Sequence, residues 1–211
     1  PQQRTVEFLK QTVRRIYEAI KVTENKIYVE FPDIKPQLPE DILFIHSEQL
    51  RLLYPDLPPK ERENEIVRQY KAVFVIGIGC PLGDGEAHDG RAADYDDWST
   101  HNEDGYYGLN GDILLWNPVL QSAFEVSSMG IRVSPESLAV QLEMRGERDK
   151  SSLDFHKRLL AGKLPQTIGG GIGHSPLCTF LPRTAHTGEI QSSIWPDAMR
   201  AECVAAGIEL M

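Results

Sequence analysis

The run Ala72-Val-Phe-Val-Ile-Gly-Ile-Gly79 constrains the fold of this chain more than any other feature. Its β-branched and aromatic side chains, with no polar residue among them, predict a strand buried on both faces and lying centrally in a sheet. The segment after it is no ordinary connection. From Cys80 to Gly111 the chain is rich in Gly, Asp and His and lacks periodicity, and long loops of this kind often carry function. Beyond it, Asp112-Ile-Leu-Leu-Trp116 and the segment Ala123 to Val133 read as two strands, antiparallel neighbours joined through the turn-forming Asn117-Pro118. A further buried strand is expected at Asp41 to His46, after Pro32, Pro36 and Pro39 have broken regular structure.

Helical periodicity fills the rest. Leu9, Val13, Ile16 and Ile20 recur on one side of an amphipathic first helix. Residues Pro59 to Tyr70 form a charged helix with Ile66, Val67 and Tyr70 on one side. Ser134 is placed as N-cap and Pro135 as first helical residue of a segment that Gly146 ends. Another helix runs from about Ser151 to Leu160, and one from about Gly173 to Thr184 comes after the glycine run. These elements predict one α+β domain over residues 1–211, an antiparallel sheet flanked by helices.

Composition excludes several classes of function. With 41% hydrophobic residues the chain can bury a core, and no run of eighteen apolar residues is available to span a membrane. The polar start Pro1-Gln-Gln-Arg-Thr5 is not a signal peptide, and the chain does not begin with methionine. Three widely spaced cysteines, without a CxxC, fit reduced thiols in the cytoplasm better than disulfides or zinc. A net charge of −9 and the lack of a basic stripe argue against a nucleic-acid partner.

Chemistry concentrates in three places. The loop His88-Asp89-Gly90-Arg91-Ala92-Ala93-Asp94-Tyr95-Asp96-Asp97-Trp98 crowds carboxylates that repel unless a cation lies between them. Asp96 or Asp97 suits an ammonium group, and Arg91 a carboxylate or phosphate; a solvated acidic loop is the plain alternative. In the paired strands, Asp112 ends a Gly-Asp turn and Glu125 sits among apolar neighbours, where an unpaired charge is costly. Magnesium held by these two acids, with phosphates and water, would serve both. In an unbroken strand Ser128 and Arg132 face away from Glu125, so a bulge at Ser127-Ser128 or near Gly130 is required to gather them. A Glu125–Arg132 salt bridge is the structural alternative. Finally, Gly169-Gly170-Gly171-Ile172-Gly173 runs from a strand into a helix and lets a flat base or a phosphate approach the backbone, though a tight turn explains it equally. It is neither a dinucleotide fingerprint nor a P-loop.

In this order, the blocks 72–79, Asp94 to Ser99, Gly108 to Val119, Phe124 to Val133 and Pro165 to Gly173 closely resemble the C-terminal part of ammonia-dependent asparagine synthetase, the aspartate-ammonia ligase related to class II aminoacyl-tRNA synthetases. The resemblance runs from about Leu9 to about Trp195. It implies ATP-dependent amidation of L-aspartate by ammonia to L-asparagine through a β-aspartyl-adenylate, with AMP and pyrophosphate as products and ATP and Mg2+ bound. It further implies that Asp96 receives the substrate amino group, that Arg91 contacts phosphate, and that Asp112 and Glu125 are metal and ATP ligands. Ser128 and Arg132 complete the substrate and phosphate contacts, and Gly169, Gly170, Gly171 and Gly173 form part of the adenosine floor.

The family pattern also carries an N-terminal section with the first two class II motifs and the homodimer contact, which precedes the helix opening this chain. Its third motif ends in an arginine where this chain has Pro176. These departures set two expectations: that this chain alone is inactive, or that it is a ligase-derived structural or regulatory subunit.

Overall fold

The computed structural model describes residues 4–211. Five strands form one sheet in sequence order: β1 (Leu43–His46), β2 (Ala72–Ile76), β3 (Asn110–Asn117), β4 (Ser122–Ile131) and β5 (Ile168–Ile172). Three of the four pairings are antiparallel, and β1–β2 is parallel. The parallel pair departs from the wholly antiparallel expectation because α2 (Ser47–Leu53) and α3 (Pro59–Tyr70) provide the helical crossover such a pair needs. Every residue of β2 and β3 is buried, as their apolar runs require.

Helices cover both faces. On one, α1 (Val6–Glu30) and α6 (His174–Phe180) pack Leu9, Val13, Ile20 and Phe180 against Phe74, Ile113, Leu115, Val126 and Met129. On the other, α2 and α3 lay Leu50, Ile66 and Val67 over Val73, Val75, Leu114 and Trp116. A smaller cluster joins α4 (Pro135–Met144) to α5 (Asp154–Leu160) through Leu138, Leu142 and Leu159. The Ser134 hydroxyl caps α4 by accepting from the Ser137 amide at 3.1 Å, with Pro135 at the first turn, as the sequence predicts. Two elements lacked a clear sequence signal, the short α2 and α7 (Asp197–Ala205), and α6 stops at Phe180, short of the expected end. No described helix is long and apolar enough to cross a membrane.

β5 ends the sheet, and Gly170, Gly171 and Ile172 are exposed along it, as expected of an open edge. Glycine matters differently along the sheet. A Cβ on Gly111 would lie 2.2 Å from the Val75 carbonyl oxygen and 2.9 Å from the Phe74 ring, whereas one on Gly171 would meet nothing within 4 Å. Gly111→Ala is therefore expected to lower stability by about 1–3 kcal/mol. Gly171→Ala should change it by no more than about 0.5 kcal/mol. Urea denaturation of both variants checks the contrast.

Candidate active site

The face of β4 is decided by one residue. The β3–β4 register runs Asp112↔Ser128 and Ile113↔Ser127, then Leu114↔Glu125, so Val126 is an extra residue opposite no partner. Its side chain is buried in the cluster under α1, and Phe124, Met129 and Ile131 join it there. Glu125, Ser128, Gly130 and Arg132 consequently share the opposite face, together with Asn110 and Asp112 of β3. The gathering bulge that the sequence requires thus exists, but at Val126 rather than at Ser127-Ser128 or Gly130.

The acidic loop is pinned beside that face as an irregular continuation of the sheet. Asp97 N donates to Ile131 O at 2.8 Å, Leu109 N to Asp97 O at 2.7 Å, and Val133 N to Tyr95 O at 3.1 Å. Gln141 of α4, fully buried, does the rest with one side chain. Its Oε1 accepts from Trp98 N at 2.8 Å and from the Ser99 hydroxyl at 3.0 Å, while its Nε2 donates to Ala93 O and Asp96 O. Trp98 packs against Gly79, where a Cβ would lie 2.9 Å from the indole. Of the two acids considered for an ammonium ligand, Asp97 is spent on structure, since it accepts from Ser99 N, from Thr100 N and hydroxyl, and from Arg4. Asp96 is left to face the site.

Two ion pairs then define the electrostatics. Arg132 Nη1 donates to Asp96 Oδ1 at 2.5 Å, with its guanidinium 3.5 Å from the centre of the Tyr95 ring. Arg91 engages both oxygens of Asp112. The Glu125–Arg132 alternative is therefore not realised, because Arg132 takes the nearer buried carboxylate. Nor is Glu125 buried as its apolar sequence neighbours suggested; Phe124 and Val126 point to the α1 side, and Glu125, on the opposite face, is exposed. Burial raises the pKa of Asp112, against Arg91 and the Ser128 hydroxyl, which lower it. Partial burial and the nearby Asp112 carboxylate likewise raise that of Glu125. Burial pushes Asp96 up to about 6 despite Arg132, and among the described residues its buried Oδ2 has no hydrogen-bond partner.

Around these charges the backbone is bare. A Cβ on Gly130 would strike Asn110 and the Asp96 carboxyl, and one on Gly169 would strike the Arg132 guanidinium. Gly169 and Gly171, paired with Gly130 and Ser128, belong to the site face. Gly170 instead opposes Met129, where a Cβ would lie 2.3 Å from the Met129 Cβ, and Gly173 sits under Pro176 at the start of α6. The glycine run is thus split between a bare floor and close packing. His88, at the start of the acidic loop, is buried with its Nε2 3.0 Å from Glu63 Oε1. Asn110 and Gln141 were not legible as site residues, since a lone amide in a strand or helix carries no pattern.

Among the described residues no three His, Cys, Asp or Glu form a ready-made metal cage. Asp112 and Glu125 nevertheless fit a magnesium ion that takes its remaining ligands from phosphate and water. Each raises the cost of ionising the other, and a cation between them would remove it.

Comparison with known proteins identifies the family and the fold. Residues 1–207 match the family model described as aspartate-ammonia ligase. An aspartate-ammonia ligase of Parabacteroides distasonis is 58% identical over 209 residues, covering 99% of this chain and 61% of that protein. One from Bacteroides fragilis is 55% identical over 208 residues, covering 99% and 60%. The chain thus spans about 60% of the length of the curated relatives it matches. Among solved structures, asparaginyl-tRNA synthetase from Pyrococcus horikoshii superposes with a TM-score of 0.59 at 13% identity, covering 87% of this chain and 44% of that one. The Entamoeba histolytica enzyme in complex with asparaginyl-adenylate gives 0.54 at 15%, covering 86% and 42%. These likenesses establish the class II synthetase fold.

The buried Asp96–Arg132 pair makes a titration test. A carboxyl whose folded pKa lies above its unfolded value binds protons more tightly when folded, so its contribution to stability is fully present below about pH 4 and is lost as pH rises through about 6. Carbon-13 NMR of the Asp96 carboxyl should give a midpoint near 6, and Arg132→Met should move it higher by removing the charge that lowers it. A midpoint near 4 in the parent protein would contradict the burial argument.

Proposed function

The chain belongs to the aspartate-ammonia ligase family, and on that premise we propose that it serves ATP-dependent conversion of L-aspartate and ammonia to L-asparagine through a β-aspartyl-adenylate. In the first step an oxygen of the aspartate side-chain carboxylate attacks the α-phosphorus of ATP, and the bond to the bridging oxygen breaks to release pyrophosphate. In the second, ammonia nitrogen attacks the activated carbonyl carbon, AMP leaves with the carbonyl–oxygen bond electrons, and one proton goes to solvent. The reading is carried by one observation: Asp96–Arg132, Arg91–Asp112 and Glu125 meet on a single sheet face beside the side-chain-free Gly169 and Gly171.

Each group has a task in this scheme. Asp96, with an unpartnered buried oxygen, takes the α-ammonium of aspartate. Arg132, stacked on Tyr95 and held by Asp96, presents its remaining donors to the α-phosphate or the substrate carboxylate. Arg91, paired with Asp112, would meet a phosphate oxygen of the nucleotide beside it. Ser128 lines the floor beside Asp112, and Gly169 and Gly171 let the nucleotide lie against the strand. Asp112 and Glu125 would hold magnesium, which neutralises phosphate charge when bound. The protein's own contribution is placement and fixed charge, with no covalent intermediate on a side chain.

A second reading, a ligase-derived subunit without activity, is favoured by Pro176, which puts an apolar ring where the family pattern has a cation. Pyrophosphate release from ATP separates the two. The intact protein is expected to release it only when aspartate is present. Asp112→Asn and Glu125→Gln should each lower kcat by about 100-fold or more. Failure of the parent protein to release any pyrophosphate would leave the subunit reading standing.

A further inference from the structure

We propose that Lys60, in the first turn of α3, is a pyrophosphate-binding residue whose ammonium meets the terminal phosphates of the nucleotide. The inference rests on the ATP-dependent reading above and assigns a residue that the sequence patterns did not single out.

Placement comes first. Asn64 Oδ1 accepts from Ala123 N at 2.8 Å, which clamps α3 to β4 two residues before Glu125. Lys60 lies one turn nearer the start of that helix, and its charge bears on Glu125 as well as on Asp89. Among the described residues its Nζ hydrogen-bonds only Glu63 Oε2, at 2.8 Å, and its side chain remains 66% exposed. Glu63 is buried and keeps a second partner, because its Oε1 receives His88 Nε2 at 3.0 Å. Lys60 can therefore swing away without leaving Glu63 unsatisfied.

Charge explains why it is needed. Around the proposed phosphate position stand five carboxylates, Glu63, Asp89, Asp96, Asp112 and Glu125, against three cations, Lys60, Arg91 and Arg132. Arg91 and Arg132 are each committed to a buried carboxylate, with side chains 14% and 22% exposed. Lys60 alone of the three has an exposed, flexible stem, and a compact ammonium on four methylenes suits a mobile polyphosphate end. The Asp96–Arg132 pair marks the aspartate and α-phosphate end of the site. The Asp112–Glu125–Lys60 side is then where the departing pyrophosphate lies.

Isothermal titration calorimetry with ATP, pyrophosphate and AMP tests this on the intact protein, its Lys60→Met variant, which keeps the apolar stem, and Lys60→Arg. Loss of a charge-assisted phosphate contact should weaken ATP and pyrophosphate by about tenfold in Lys60→Met. AMP affinity should stay within about twofold, and Lys60→Arg should restore most of the loss. An equal loss for AMP and ATP would mean that Lys60 only supports the fold, and unchanged ATP and pyrophosphate affinity would remove it from the site; either overturns the proposal. If the parent protein binds neither ATP nor pyrophosphate, the ligase reading fails and this inference falls with it, an outcome distinct from the others because no variant is needed to see it.

Discussion

One unpaired residue in a β-strand determines whether the proposed site residues share a face of the sheet. Side chains alternate strictly along a strand, so Glu125 could not share a face with Ser128 and Arg132 in an uninterrupted ladder. Val126 breaks the alternation: it and its neighbour Ser127 lie on the side of α1, and everything after them is shifted by one. Burial of Val126 in the apolar cluster holds the bulge in place, because slipping it out would move Met129 and Ile131 from core to site and Arg132 into the core. The packing of α1 and the chemistry on the opposite face are thus two consequences of one register.

Burying charge beside that register is costly, and the architecture limits the cost rather than escaping it. Asp96 and Asp112 are withdrawn from water, and each is met by an arginine. Such pairs add little net stability, since desolvation consumes most of the Coulombic gain. What they provide is a fixed arrangement of charge, and fixed charge is what stabilises a phosphoryl transition state. The rigidity comes from neutral hydrogen bonds. Gln141 and the backbone of Asp97 hold the loop to β3, β4 and α4 at several points, so Asp96 has little freedom to relax away from its partner.

Much of this was legible in the sequence, for reasons that differ by element. β2 and the Ile113-to-Trp116 centre of β3 are apolar runs, and Ser134-Pro135 is a helix start whose two residues each have a distinct physical job; β2 ends earlier, at Ile76, and β3 begins earlier, at Asn110, than the sequence runs do. The ordered blocks from 72 to 173 likewise carry the family resemblance in the sequence itself. Short α2 and α7 were not legible, because seven to nine residues give too little periodicity to distinguish a helix from a turn. The position of the bulge was not either: that one must exist is a consequence of alternation, but Val126 rather than Ser127 absorbs it because the valine gains burial. The exposure of Glu125 was hidden because apolar neighbours in sequence point to the far side of any strand. Partner choice was equally hidden, for Arg132 could reach Glu125 or Asp96 on paper, and only the loop pinned by Gln141 brings Asp96 nearer.

The central claim is that Asp96, Asp112, Glu125, Ser128 and Arg132 form a single site on the β3–β4 face because of the Val126 bulge. A crystal structure of the protein with a hydrolysis-resistant β-aspartyl-adenylate analogue measures this directly. The account predicts the ligand ammonium against Asp96, its phosphate within hydrogen-bonding distance of Arg132 or Arg91, and its base along Gly169 and Gly171. A ligand bound elsewhere, or a β4 in which Val126 pairs regularly and Glu125 turns to the α1 side, would contradict it.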